Sequence, residues 1–313
     1  MTKQDRIAGV LIGQAAGDAL GAPAEFGPPG SVARFGRGAM GHEAGQYTDD
    51  TEQAVIVATA RSEPLGVAAG LLSWYRAGPL DVGGQTAAVL SRCRSAADML
   101  ALSRAYAARL DGRSMPDPGS GNGSLMRTGP VALPFLGDRS QIAAAARVVS
   151  DLTHATPHDG DACVLWSLAI DLAVCSDADS SRRIAELVSS GLEYIPESRR
   201  PFWQDAIAEA LHAHPSRFRP NGGSVGAFKA ALSSVSHNTT FAGVVKCCVA
   251  IGGDTDTTSA IAGSLAGALH GASGIPQEYR DQVHGWAPGG GQLDADGLAS
   301  LSLQAAGQQV CQR

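Results

Sequence analysis

Apolar positions recur at helical spacing along most of the chain. Over residues 4–20, Ile7, Val10, Leu11 and Ala15 fall on one face, which predicts a helix. Gly9, Gly13 and Gly17 stand in line at i, i+4 and i+8, so a second helix can approach closely. The stretch GDALGAPAEFGPPG after it reads as a loop holding Asp18 and Glu25, and residues 26–46, rich in Gly and Pro, read as irregular. Further helices are predicted near 49–61, 65–77, 83–92, 95–110, 123–134, 138–151 and 159–176. The remainder fall near 181–190, 202–213, 223–236, 240–251, 256–271, 276–284 and 292–307. Period-two alternation is nearly absent, because Val and Ile are scattered among Ala, Leu and Arg. The pattern predicts an all-α protein. No fixed-period repeat and no long linker interrupts it, so residues 1–313 read as one domain.

Composition narrows this little. With 44% apolar and 17% charged residues the chain reads as soluble and globular. A net charge of −6 argues against a general electrostatic grip on nucleic acid, leaving a local basic patch open. Cys93, Cys163, Cys175, Cys247, Cys248 and Cys311 contain no Cys-x-x-Cys pair, so a disulfide framework is not expected and a reducing, cytoplasmic setting is. The apolar run near the N-terminus is broken by Gly9, Gly13, Gln14, Gly17 and Asp18, which predicts a core helix rather than a signal peptide. No stretch has the length of uninterrupted apolar sequence that a membrane span needs.

Two oxygen-rich clusters change the picture. Tyr47-Thr-Asp-Asp-Thr51 and Ile251-Gly-Gly-Asp-Thr-Asp-Thr-Thr258 each precede a predicted helix and contain no Cys or His. Carboxylate and hydroxyl oxygens are what hard cations such as Mg²⁺ and Mn²⁺ prefer. The plainer reading of either cluster is helix capping. The two are compatible, since a first-turn carboxylate can point past the helix end. A glycine-rich run, GSGNGSLMR, leads into the predicted helix at 123–134, where exposed backbone N–H groups would suit phosphate oxygens, or form a plain turn. Arg127 in that run reads either as a phosphate clamp or as half of a structural ion pair. Glu25 reads as a solvated loop acid, Asp81 as a helix N-cap, and His154 as a satisfied histidine at a helix start.

Taken in order, GDALGAPAEF (17–26), YTDDT (47–51), GSGNGSLMR (119–127) and GGDTDTTSAIAGSLAGALHG (252–271) resemble the ADP-ribosylglycohydrolase family. The matches run from about residue 6 to 276. The resemblance implies a single-domain orthogonal helical bundle with a central cleft containing two Mg²⁺ or Mn²⁺ ions. It implies metal ligation by Thr48, Asp49, Asp50, Asp254, Asp256 and Thr257. It implies ADP-ribose contacts at Gly121, Asn122, Gly123, Ser124 and His154, and an outer-shell or substrate contact at Asp81. Glu25, on a mobile loop, Asp256 and Asp50 are the catalytic candidates, with Glu25 or Asp256 handling the proton. The implied reaction is hydrolysis of the bond between ADP-ribose and an acceptor. The acceptor stays open among arginine, serine, another protein residue, a nucleobase and O-acetyl-ADP-ribose, so a nucleic-acid substrate stays open too. An inactive ADP-ribose-binding or structural relative and a dinuclear-metal phosphoesterase are the competing readings. One departure stands out: the segment PNGGSVGAF (220–228) offers Asn221, Gly222, Gly223 and Ser224 where many relatives carry a stacking aromatic, and Phe228 reads as core.

Overall fold

The glycine line of the first helix finds its partner near the far end of the chain. The computed structural model describes residues 1–110, 119–176 and 184–308. Its helices are α1 (Lys3–Gly21), α2 (Asp49–Thr59), α3 (Pro64–Arg76), α4 (Gly84–Leu90), α5 (Met99–Leu110), α6 (Arg139–Asp151) and α7 (Pro157–Cys175). After these come α8 (Ile184–Ser189), α9 (Arg200–His212), α10 (Ser224–Ser236), α11 (Phe241–Ile251), α12 (Thr255–His270) and α13 (Gln277–Arg280). A hairpin of β1 (His284–Ala287) and β2 (Gly291–Asp294) leads into α14 (Ala295–Ala305). The all-α expectation holds, with one small antiparallel sheet added.

Helices α1, α7 and α12 form the centre. From Arg6 to Gly21 every residue of α1 is buried, and in α12 every residue from Thr255 to Leu269. A helix buried on all sides must lie inside the molecule. α1 and α12 pack so closely that a Cβ on Gly9, Gly13 or Gly17 would run into the backbone carbonyls of Gly267, Gly263 or Ser259. In α7, Trp166 donates its Nε1–H to Ile261 O (3.2 Å) and Ser264 Oγ (3.1 Å), which fixes α7 against α12. Trp166, Phe228 and Trp203 pack edge to face, so Phe228 is a core residue.

Several expected boundaries differ. α1 runs on through Gly21, so Asp18 lies in the helix and not in a loop. The helix expected over 123–134 is replaced by two 3₁₀ pieces, Asn122–Ser124 and Gly129–Phe135. Pro130 and Pro134 deny the second piece the N–H groups an α-helix needs. The helix expected at 276–284 stops at Arg280, and the chain turns extended because Gly285 must pass against the Tyr47 ring. The segment expected as helix from 292 begins as β2 and becomes helical only at Ala295. Of the helix expected over 181–190, residues 181–183 lie outside the described residues, as does Cys311. The five described cysteines are free thiols. Among the described residues no helix is long and apolar enough to cross a membrane.

Candidate active site

The N-termini of α2 and α12 face one cleft, and a fully buried acid in α1 sets the first of them. Asp18 accepts hydrogen bonds from Thr48 N (3.0 Å), Thr51 N (3.1 Å) and Thr51 Oγ1 (2.6 Å). It thereby holds the TDDT turn in place before α2 begins. Burial pushes the Asp18 pKa up to about 7, against the lowering effect of the Thr51 and Thr48 hydrogen bonds. Thr48 is the N-cap of α2, its hydroxyl accepting from Asp50 N at 3.4 Å. Asp254 occupies the cap position of α12, but its carboxylate does not cap. It turns instead to accept from Asn122 Nδ2 at 2.8 Å.

The two clusters meet directly. Thr257 Oγ1 donates to Asp50 Oδ1 at 3.1 Å, 207 residues apart in sequence, while Asp50 Oδ2 is buried without a hydrogen-bond partner. Asp49 Oδ2 accepts from Gln53 Nε2 (3.1 Å), and Asp256 Oδ1 accepts from Thr257 N (2.9 Å). The cleft measures about 350 Å³. Glu25, Asp49, Asp50, Asp81, Asp254 and Asp256 all line it, and among the described residues no Lys or Arg does. Burial raises the pKa of Asp49, Asp50, Asp254 and Asp256, and neighbouring carboxylates raise Asp49, Asp50 and Asp256 further. Glu25 is pushed up to about 8, first by burial and then by Asp81, Asp254 and Asp18, with a hydrogen bond to Asp256 opposing. Among the described residues no three acidic, His or Cys side chains form a ready-made ligand set; Asp49, Asp50 and Asp254 bond to Gln53, Thr257 and Asn122 instead. The chemistry of the donors nonetheless fits hard cations: oxygen only, excess negative charge, and one orphaned carboxylate oxygen.

The Glu25 segment is tied down rather than loose. Phe26 N donates to Gly253 O (2.7 Å), Gly253 N to Gly27 O (2.9 Å) and Gly30 N to Ala250 O (2.8 Å). Gly252 and Gly253, both at φ +75°, allow the chain to double back there. Asn221 secures the same turn by donating to Gly252 O, Asp254 O and Thr258 Oγ1 and accepting from Asp254 N.

The opposite wall is the glycine-rich loop. Gly121 bridges Gly223, and Asn122 N donates to Gly222 O at 3.2 Å. Buried Asp159 joins the two segments, accepting from Ser120 N (2.8 Å), Ser120 Oγ and Ser224 Oγ (2.5 Å each). Gly121, Asn122 and Gly123 line the cleft; Thr48 and Ser124 do not. Ser124 accepts from Ser150 Oγ at 2.9 Å in the interior. The helix expected to begin at this loop is only a 3₁₀ turn, so it contributes no helix dipole toward a phosphate. Asp81 lines the cleft, and Gly83 takes the cap of α4, which removes the capping reading of Asp81.

Arg127 does not line the cleft, and among the described residues it makes no ion pair. It is fully buried and donates to Gln53 Oε1 (3.0 Å), Val149 O (2.8 Å) and Thr153 Oγ1 (2.8 Å). Burial lowers its pKa to about 10, which leaves it charged at neutral pH. Gln53 passes the contact on to Asp49. Thr153, accepting from Arg127, has its own hydroxyl proton for His154 Nδ1, 2.8 Å away. That assignment leaves the His154 proton on Nε2, beside Gly121 and Gly123 in the cleft. Burial and then the Arg127 charge hold His154 well below the ordinary imidazole pKa, so it is neutral.

Fold and site thus define an α-helical protein with an acid-lined cleft between two helix N-termini, faced by a neutral hydrogen-bonding wall. The ADP-ribosylglycohydrolase family model matches residues 1–311, and the chain belongs to that family. It is 29% identical to the ADP-ribosylarginine hydrolase Tri1 of Pseudomonas putida, over 89% of this chain and 74% of that protein. It is 27% identical to the ADP-ribosyl-[dinitrogen reductase] glycohydrolase of Rhodospirillum rubrum, over 89% and 90%. A solved structure described as an ADP-ribosylglycohydrolase-related protein complex superposes with a TM-score of 0.72 at 25% identity, covering 97% of this chain and 98% of that one. The activity class is therefore removal of ADP-ribose from an acceptor.

Proposed function

We propose that the chain hydrolyses ADP-ribosylated protein with two divalent cations, Mg²⁺ or Mn²⁺, held by Asp49, Asp50, Asp254, Asp256 and Thr257, while Thr48, buried as the cap of α2, supports that turn. The carrying observation is the Asp50–Thr257 junction of two acidic helix N-termini, where among the described residues Asp50 Oδ2 has no partner and no Lys or Arg lines the cleft. Cation binding would exchange the present hydrogen bonds of these acids for ligand bonds. Such ions, when bound, supply polarisation of ribose hydroxyls and stabilisation of charge as the glycosidic bond breaks.

The chain's own residues divide the remaining work. Asn122 orients Asp254, Gln53 orients Asp49, and Asp18 fixes the turn that carries Thr48 and Asp50. The Gly121–Gly123 loop and the Nε2–H of His154 form the wall against which ADP-ribose lies. Glu25, half-buried at the mouth and beside Asp256, takes a proton from water in its ionised form as the water oxygen adds to C1″; the C1″–acceptor bond breaks, and Glu25 returns that proton to the leaving acceptor. The named substrates of the two relatives make arginine-linked ADP-ribosyl protein the first acceptor to assay.

Calorimetry with Mg²⁺ or Mn²⁺ and single-turnover ADP-ribose release test this together. Wild type should bind two ions. Asp50→Asn and Asp256→Asn should lose ion affinity and turnover while remaining folded. Full turnover after exhaustive chelation, unchanged on returning metal, would overturn the metal reading. Glu25→Gln should keep ion and ADP-ribose affinity and lose about 10²–10⁴-fold in turnover.

A further inference from the structure

We propose that a second cavity beside the acidic cleft is a subsite for a basic side chain of the protein substrate, an arginine by preference. As a substrate subsite it rests on the proposed function; as a cation site it stands alone. The first turn of α2 faces both cavities: Asp49 and Asp50 line the cleft, and Glu52 lines a cavity of about 330 Å³. One segment walls both, Ala77–Leu80 toward the cavity and Asp81–Thr86 toward the cleft. Asp49 and Glu52 are three residues apart, about 4.5 Å along the helix, a distance spanned by one or two residues of extended peptide.

The cavity wall is chemically selective. Trp74 comes from α3, and Trp286 from β1 with its cross-strand partner Gln292. Glu52 is 6% exposed, and its carboxylate's one hydrogen bond among the described residues is from Trp74 Nε1 to Oε2, at 2.6 Å. No Lys or Arg lines the cavity, and no ion pair reaches Glu52 among the described residues. A carboxylate with one oxygen bonded to Trp74 and the other open to the cavity, beside two indoles, suits a cation. A guanidinium fits best, since it donates to a carboxylate in its own plane and stacks on an indole face. An anionic ligand would meet Glu52 unfavourably. An adjoining apolar cavity of about 270 Å³ shares Trp74 and Trp286 and can take the aliphatic stem.

The test uses the full chain, N-acetyl-arginine amide as a calorimetric probe, and a set of ADP-ribosylated peptides. The peptides carry Arg or Ala one or two residues from the modified side chain. Wild type should bind the probe, and its KM should be about ten-fold lower for the best Arg peptide than for its Ala counterpart at equal kcat. Trp286→Leu, in a half-buried hairpin position, should abolish probe binding and the Arg preference while hydrolysing the Ala peptide normally. Glu52→Gln should do the same, and Trp286→Leu decides if that buried variant misfolds. Equal KM for both peptides, or equal probe affinity in wild type and Trp286→Leu, would overturn the proposal. Failure to hydrolyse any peptide counts against the proposed function alone, because probe binding still decides the cation site.

Discussion

Replacing Gly21 by alanine tests whether the α1–α12 contact sets the geometry of the acids. Gly21 is the last residue of α1, and its carbonyl accepts from Thr255 Oγ1 at 2.9 Å. A Cβ there would lie 2.5 Å from Thr255 O, 2.6 Å from Asp256 Cα and 2.7 Å from Asp256 N. All three are backbone atoms, so no side chain can swing aside. Reaching ordinary contact requires the Asp256 backbone to move by about 0.8 Å. Overpacking of this kind costs about 1–3 kcal/mol, and a displacement near 1 Å at a reacting centre costs about 10²-fold in rate. Gly9→Ala supplies the control. Its Cβ would strike Gly267 and come 2.9 Å from Gly271 C, at the other end of the same contact. Both variants should shift the urea midpoint by similar amounts. Only Gly21→Ala should lower single-turnover ADP-ribose release and cation affinity. Equal loss of activity in the two variants would show that the defect is general loosening. A destabilised Gly21→Ala with wild-type rate would show that the position of Asp256 is not set by this contact.

Two other substitutions bear on the supports of the site, and a third on an ion pair elsewhere in the fold. Asp18→Asn leaves one accepting oxygen where two accept from Thr48 N, Thr51 N and Thr51 Oγ1, and should destabilise by about 1–3 kcal/mol; hydrogen exchange at those two amides should quicken, and unchanged exchange would remove Asp18 from its positioning role. Arg127→Lys cannot match three acceptors held in a fork, and should both lower stability and mix the His154 tautomers, read from the imidazole ¹⁵N shifts; a lone Nε2–H form in the variant would contradict the assignment. Asp161, away from the cleft, has a pKa that burial alone would raise, but hydrogen bonds from Arg199 and Arg147 hold it below the ordinary value. A depressed carboxylate stabilises above its unfolded pKa, and that stabilisation is lost as pH falls through the folded pKa. Asp161→Asn should therefore cost about 3 kcal/mol near neutral pH, with the gap to wild type closing under acid conditions below about pH 4; a gap constant with pH would refute the ion-pair account.

What could be read from the sequence depended on how local its cause was. Two Asp/Thr clusters at helix starts were visible because capping chemistry and metal chemistry use the same residues at the same spacing. The glycine line of α1 was visible as a close-contact face, although its partner, α12, lies about 250 residues away and was not. The 123–134 segment misled because apolar spacing continued through Pro130 and Pro134, where the backbone cannot follow. The hairpin escaped because its strands are four residues long and owe their extension to Tyr47, far away in sequence. The supporting residues were hardest. The side chains of Asp18, Asp159, Asn221 and Arg127 act on backbone groups and side chains 22 to 74 positions away, on segments that meet only in the fold. Asp18 left one local trace, the one acid in the Ile7–Gly21 stretch of α1, where Gln14 is the only other polar side chain. Such a residue is costly to bury without a partner, and here its partners are the amides that begin α2. An acid embedded in a helix that should be wholly apolar is thus itself a pointer to the site, because something across the fold must satisfy it.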